Sequence, residues 1–333
     1  MDSIYIVATY PVGEEGLRKI RAVSPQIKID DASGLCTFVN GKVVEKQDEF
    51  SRDKFRTMLE QVEVFYGSVP PANLITRAPN LKWIQSAHAG VDRFLVPEII
   101  ASSVVLTSSQ GIHGIQVSEV ALEMLLMLAK KAPVFFRLKL ERKYQRAVPG
   151  ILYSRTLGIL GLGNIGREVA RLGKAFGMRV VALEIRELEN ADNVDAIYSP
   201  ENIKEFLSIC DYAVITLPLT PGTRHIIGEA ELKAMKPTAY LVNVARGAIV
   251  DEEALIQALD ENRIAGAGLD VFATEPLPPD SRLWDLPNLI ISPHIAGDRE
   301  DYASLAVDLF CENLKRYLQG KRLLNVINKQ AGF

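Results

Sequence analysis

The chain has 333 residues, 48% hydrophobic and 24% charged, with a formal net charge of −3. Its length exceeds the roughly 250–300 residues at which a single core stops growing, so two domains are expected. The small net charge gives no electrostatic basis for binding nucleic acid or a membrane surface.

Cys36, Cys210 and Cys311 lie far apart and form neither a zinc pattern nor a disulfide framework, so no metal is expected. Reduced thiols, and a start ("MDSIYIVATYP") with no basic segment leading into an apolar run, fit a cytoplasmic protein. The longest apolar helical run, "VALEMLLMLA", is too short to cross ~30 Å of hydrocarbon and reads as a buried helix.

In chain order, "IYIVA" (4–8) reads as a strand and "GEEGLRKIRAV" as a helix. "QIKID" (26–30) is the next strand. "CTFVNGKVVEK" (36–46) sets Asn40-Gly41 between β-prone runs, a two-residue hairpin signal, because both turn positions need positive φ. "DKFRTMLEQV" is helical, and "EVFYG", "LKWIQS" (81–86) and "VVLTSS" (104–109) are strands. A long apolar helix covers 118–131 with Ser118 as its N-cap. A second helix, "VFFRLKLERKYQ", and a loop over 147–155 follow. From residue 156 the strands are "TLGILG", "RVVALE", "YAVITL", "AYLVNV", "IAGAGLDVF" and "LIIS". Helices fill 164–176, about 201–208, 229–235 and 251–261, the last capped by Asp251. The final segment, "REDYASLAVDLFCENLKRYLQG", is an amphipathic helix. Strands alternating with helices specify an α/β protein with mostly parallel sheets, and the six strands after residue 156 make a complete dinucleotide-binding domain.

The run "GILGLGNIGREVARLGKAFGMRVVALE" carries Gly161, Gly163 and Gly166 as GxGxxG between a strand and a helix. Gly161 permits a tight turn, Gly163 lets the backbone approach a pyrophosphate, and Gly166 lets helix and strand pack closely. The free N–H groups of the helix start favour phosphate. Glu184, about 20 residues on, can accept from ribose hydroxyls and repel a 2′-phosphate, which favours NAD over NADP. Arg186, two residues later, can accommodate that phosphate and keeps NADP open.

Three further candidates sit where strands of the same sheet end, the place where such sheets bind ligands. Arg246 follows "AYLVNV" and offers a bidentate fork for a carboxylate. Asp270 ends "AGAGLD", with Glu275 five residues on. His294 ends "LIISPH". Reducing a ketone by hydride needs a proton donor, a cation near the oxygen and a grip on the substrate. His294, Glu275 and Arg246 supply an acid, its orienting carboxylate and a cation. Of the other histidines, His225 lies in a polar loop and reads as structural or solvated. His88 and His113 lie in glycine-containing loops and stay open as secondary substrate contacts. Trp284 is either a pocket or a core residue.

"GLGNIG", "LPLTPGTRHIIG", "VNVARGAIVDEEAL", "AGAGLDVFATEPLP" and "ISPHIAG" resemble, in order and spacing, the D-isomer-specific 2-hydroxyacid dehydrogenase family. "LKWIQSAHAGVD" resembles its substrate-loop segment. The resemblance spans about residues 62 to 320. It implies two doubly wound domains: a Rossmann NAD-binding domain (113–297) inserted into a flavodoxin-like substrate domain (1–112 and 298–333). It also implies a homodimer. By motif, Arg246 binds the substrate's carboxylate and carbonyl, His294 is the acid/base and Glu275 its partner, and amides around Ala89 and Gly90 hold the carboxylate. Asn164 and Ile165 sit at the pyrophosphate and Glu184 at the adenosine ribose. Leu217, Pro218, Val244, Ala245, Ala296 and Gly297 line the cofactor, and Asp270 lies near the nicotinamide amide. Formate-oxidising members pair the histidine with glutamine, so Glu275 argues against them. The 36–46 hairpin and the first fifty residues match nothing in the family pattern.

The expected activity is NAD-dependent reduction of a small 2-oxo acid, with glyoxylate and hydroxypyruvate as candidates. An NADH-sensing binding protein and a dehydrogenase of a small anion such as phosphite are the alternatives.

Overall fold

The computed structural model describes residues 3–39, 42–186, 188 and 191–332. The chain divides into two compact units, Met1–Ile112 with Arg299–Phe333, and His113–Asp298.

The first unit runs β1 (Ile4–Ala8), α1 (Gly13–Ala22), β2 (Ile27–Asp31), β3 (Cys36–Val39), β4 (Lys42–Glu45), α2 (Glu49–Gln61), β5 (Val64–Gly67), α3 (Leu74–Arg77), β6 (Trp83–Ser86), α4 (Pro97–Ala101) and β7 (Val105–Thr107). Five strands form a parallel sheet in the order β2-β1-β5-β6-β7. Successive side chains of a strand face opposite ways, so both faces are buried. Val7, Phe65, Ile84 and Leu106 enter one core, and Ile6, Tyr66 and Trp83 the other. β3 and β4 pair antiparallel as the hairpin signal implies, while the Asn40-Gly41 turn itself lies outside the described residues. Arg77 of α3 donates to both oxygens of Glu45, at 2.5 and 3.2 Å, and ties the hairpin to its unit.

The second unit opens with α5 (Gly114–Ala129) and α6 (Ala132–Leu140). The expected start at Ser118 is one turn late. His113 occupies the N-cap position, and Ser118 is buried inside the helix with its hydroxyl donating to the Ile115 carbonyl at 2.7 Å. That back-bond satisfies a serine whose sequence signature is the same as that of a cap. The expected second helix also ends early, at Leu140, and Arg142 adopts φ 54°.

There follow β8 (Thr156–Leu160), α7 (Asn164–Ala175), β9 (Arg179–Leu183), β10 (Ala196–Tyr198), α8 (Ile203–Ile209), β11 (Tyr212–Ile215), α9 (Glu229–Ala234), β12 (Tyr240–Asn243), α10 (Glu252–Asp260), β13 (Gly266–Leu269) and β14 (Leu289–Ile291). The sheet is parallel in the order β10-β9-β8-β11-β12-β13-β14. It has seven strands where six were expected, because β10 is a three-residue edge strand, too short to display an alternation. Leu157, Ile159, Val214 and Val242 face the core under α5 and α7, and Leu160, Ile215 and Leu241 face the opposite core. The strand order reverses between β8 and β11, and the crevice beyond the carboxyl ends there is where such sheets take ligands. The chain returns to the first unit as α11 (Tyr302–Leu318), whose Val307, Phe310 and Leu314 join the core beside Ile20 of α1. Among the described residues no helix is long and apolar enough to cross a membrane.

Candidate active site

The glycine loop joins β8 to α7 at the switch point. Gly161 has φ +99°, a conformation that L side chains rarely adopt. Its carbonyl accepts the Thr216 hydroxyl at 2.7 Å, so the residue after β11 buttresses the turn. A Cβ on Gly166 would lie 2.0 Å from the Gly161 carbonyl oxygen, so only glycine lets α7 sit this close to β8. A Cβ on Gly163 would meet nothing within 4 Å. Gly163 therefore faces open space at the start of α7, where Asn164 and Ile165 begin the helix and its first N–H groups lack intrahelical acceptors. These residues fit a dinucleotide pyrophosphate. Leu217 packs over Gly161, and Val244, Ala245 and Ala296 are buried at other strand ends of the same sheet. The Pro218 carbonyl accepts the Thr223 hydroxyl at 2.6 Å.

Glu184 follows β9 with its side chain only 4% exposed. Its Oε2 accepts the Leu162 N–H at 2.9 Å and Arg186 Nη2 at 2.9 Å. Its Oε1 accepts the N–H groups of Ile185 and Arg186 and Arg186 Nε, at 2.9, 3.1 and 3.1 Å. Burial alone would raise this carboxyl, but the Arg186 guanidinium and the backbone donors outweigh it and hold the group at about 2.

Beyond β12, β13 and β14 lie the polar residues singled out in the sequence. His294 Nδ1 lies 2.7 Å from Glu275 Oε2. Glu275 Oε1 accepts the Phe272 N–H at 3.0 Å, which fixes the carboxylate from its other side. Burial pushes the Glu275 carboxyl up. The His294 bond, the Phe272 N–H and the charges of His294 and Arg246 together outweigh burial and keep it below the ordinary glutamate value. His294 has φ 56°, a left-handed backbone directly after Pro293. Asp270, 1% exposed, explains how that conformation is held. Its Oδ1 accepts the Ser292 hydroxyl at 2.6 Å and the Ile295 N–H at 2.9 Å, and its Oδ2 accepts the Ala296 N–H at 3.0 Å. The residues on both sides of His294 are thus tied to one carboxylate.

Arg246 is half-buried and donates from Nη1 to the Ala245 carbonyl at 2.7 Å. Asn243, 1% exposed, accepts the Ala245 N–H at 3.0 Å and donates to the Arg246 carbonyl at 3.0 Å. Gly247 then abuts the next loop so closely that a Cβ would lie 1.9 Å from the Phe272 carbonyl carbon. The Arg246 loop and the Glu275 loop are therefore interlocked. Asn243, Gly247, Ser292 and Thr216 were not singled out in the sequence. An asparagine three residues before an arginine at a strand end is an Asx-turn signal that could have found the first.

The remaining candidates divide. His113 Nδ1 lies 3.1 Å from the Gly297 carbonyl oxygen and braces the end of the β14 loop. His225 is exposed, with φ 52°. Trp284 is 52% exposed and donates to the Pro278 carbonyl, so it is not a core residue. In the first unit, His88 donates its N–H to Ser86 Oγ at 3.1 Å, just ahead of Ala89 and Gly90. The N–H groups of Ala89 and Gly90 make no hydrogen bond among the described residues.

Residues 122–296 match the model of the D-isomer specific 2-hydroxyacid dehydrogenase NAD-binding domain. The chain belongs to the D-isomer specific 2-hydroxyacid dehydrogenase family. It is an NAD(P)-dependent oxidoreductase of that family. The glyoxylate reductase of Korarchaeum cryptofilum is 35% identical over 267 residues, covering 78% of this dehydrogenase and 80% of that protein. The D-3-phosphoglycerate dehydrogenase of Methanocaldococcus jannaschii is 32% identical over 330 residues. That match covers 98% of this chain but only 59% of the longer relative. A D-isomer specific 2-hydroxyacid dehydrogenase from Xanthobacter autotrophicus Py2, solved with NADPH and MES, superposes with TM-score 0.83 at 28% identity over 100% of both chains.

Proposed function

We propose that this dehydrogenase reduces a small, unphosphorylated 2-oxo acid of the glyoxylate or hydroxypyruvate type to the D-2-hydroxy acid, with His294 as proton donor. The observation that carries this reading is the 2.7 Å contact between His294 Nδ1 and Glu275, on loops leaving the same sheet as the glycine loop. A nicotinamide dinucleotide bound at Gly161–Gly166 supplies or accepts the hydride. Glu275 engages Nδ1, which leaves Nε2 to give a proton to the nascent hydroxyl. The same carboxylate, held below the ordinary glutamate value, stays ionised and engages the ring. Arg246 grips the substrate's carboxylate and polarises its carbonyl oxygen. In the first unit, the unengaged N–H groups of Ala89 and Gly90 serve as anion donors.

Two observations favour an unphosphorylated substrate. Glyoxylate reductases are among the relatives whose length this chain covers well. The two residues that follow each of β1, β5, β6 and β7 are Thr9-Tyr10, Ser68-Val69, Ala87-His88 and Ser108-Ser109, none of them a lysine or arginine to meet a phosphate, and Arg93 stands further along the loop after β6. The working form is a homodimer. Leu140, Tyr144 and Val148 are 84%, 105% and 83% exposed on one short stretch, an apolar surface that a second copy would cover.

The test is a steady-state panel of 2-oxo acids with NADH and NADPH. His294→Ala is expected to lower kcat on the best acid by roughly 10²–10⁴. Near-normal kcat in that variant would refute the role of His294. Tight dinucleotide binding with no acid reduced would favour a sensor instead. Light scattering of the native protein checks the dimer.

A further inference from the structure

We infer that Arg186 is the residue that selects the dinucleotide, and that it selects the 2′-phosphorylated form, NADP(H). The inference rests on the dinucleotide site at the glycine loop and concerns only which adenosine ribose that site prefers.

An acid after the second strand rejects a 2′-phosphate when it offers a free oxygen to the ribose diol and an uncompensated negative charge. Glu184 offers neither. Five N–H groups already occupy its two oxygens, and the side chain is 4% exposed. Its charge is matched by Arg186 through two of those contacts, Nη2 at 2.9 Å and Nε at 3.1 Å. Glu184 is turned inward as a brace rather than outward as a ligand.

Arg186 is turned the other way. Its side chain is 52% exposed, yet it is not loose. Nη2 also reaches the Leu162 carbonyl at 3.3 Å, while Glu184 takes the Leu162 N–H. The two side chains therefore clasp the single residue between Gly161 and Gly163, one at its N–H and one at its carbonyl. This clasp fixes the guanidinium beside the glycine loop at the end of β9, the position from which the residue after the second strand meets the ribose 2′ substituent. Nη1 has no acceptor among the described residues. A planar fork with a spare donor, already ordered by a buried carboxylate, suits a phosphate dianion better than a neutral hydroxyl. Pre-ordering also lowers the entropy lost when the phosphate is engaged.

Titration calorimetry on the intact protein tests this without turnover, using NADP+, NAD+, 2′,5′-ADP and 5′-AMP. NADP+ is expected to bind at least roughly tenfold more tightly than NAD+, and 2′,5′-ADP to exceed 5′-AMP by a similar factor, the worth of one or two charge-assisted hydrogen bonds. In Arg186→Ala both ratios should fall toward one. The variant also takes two donors from the buried Glu184 carboxylate and should melt below the native protein, so its ratios are read well below its melting temperature, and the native ratios stand whether or not the variant folds. NAD+ binding as tightly as NADP+, or an unchanged ratio in a folded Arg186→Ala, overturns the assignment and leaves the dinucleotide site intact. Binding of neither dinucleotide overturns both.

Discussion

Ser292 donates its hydroxyl to Asp270 at 2.6 Å, and two residues past His294 the Ala296 N–H closes on the same carboxylate at 3.0 Å. One buried acid thereby spans the residue whose backbone is left-handed, φ 56°. A non-glycine residue in that region carries strain of order 1–3 kcal/mol, which neighbours must offset. Asp270→Asn keeps the shape but puts an NH2 group against one of the donors. It should destabilise the protein by about 1–3 kcal/mol and lower kcat, because the imidazole loses its aim. Urea unfolding with steady-state kinetics checks both. Native stability with native kcat would show that the turn holds itself.

The Glu275 carboxyl is held below its ordinary value by His294, Phe272 and Arg246 against the opposing effect of burial. Glu275→Gln removes the ionisable carboxylate 2.7 Å from His294 Nδ1. The acid limb of the pH profile for oxo-acid reduction, set by the Glu275 carboxyl below its ordinary value, should disappear, with kcat reduced across the range. A profile of unchanged shape would mean that Glu275 only orients the ring.

The glycines of the loop separate folding from binding. Gly166→Ala places a methyl 2.0 Å from the Gly161 oxygen, and α7 must shift, at a cost of about 1–3 kcal/mol or more. Gly163→Ala meets nothing within 4 Å and should melt like the native protein while binding dinucleotide more weakly. Calorimetric melting and dinucleotide titration distinguish the two. Loss of stability in Gly163→Ala would contradict the open approach above it.

Glu184 connects the loop to acid stability. Its folded value of about 2 lies below the ordinary 4.5, so the ionised form stabilises the fold. That contribution is complete above pH 4.5 and disappears as pH falls through 2. At 1.36 kcal/mol per unit it amounts to on the order of 3 kcal/mol at neutral pH. Unfolding of Glu184→Gln beside the native protein should give a difference of that order at pH 7, shrinking below about pH 4.5. A difference independent of pH would assign the effect to packing.

Local pattern carried most of the architecture. Strands buried on both faces read as short apolar runs, and Asp251, with its carboxylate accepting the Ala254 N–H at 3.2 Å, reads as the cap it is. Where pattern misled, a contact that the pattern does not display had settled the matter. Ser118 resembles a cap but bonds back within α5. β10 exists because its three residues lie alongside β9, not because they alternate.

At the candidate site the same division appears. Residue types and spacing determined that a glycine turn would open a helix, and that Arg246, Asp270, Glu275 and His294 would each follow a strand of one parallel sheet, since covalent neighbours and periodicity suffice for that. Which carboxylate meets the imidazole is a different question, because Asp270 and Glu275 are five residues apart and chemically alike. Only the fold decided it: Asp270 is buried and consumed by the N–H and hydroxyl groups around His294, while Glu275, held by the Phe272 N–H, reaches Nδ1. Which groups Glu184 bonds, the Leu162 N–H of its own glycine loop among them, was likewise decided by tertiary structure. Hydrogen-bond partners far apart in sequence compete for the same few lone pairs, and only three-dimensional geometry says which of them arrive.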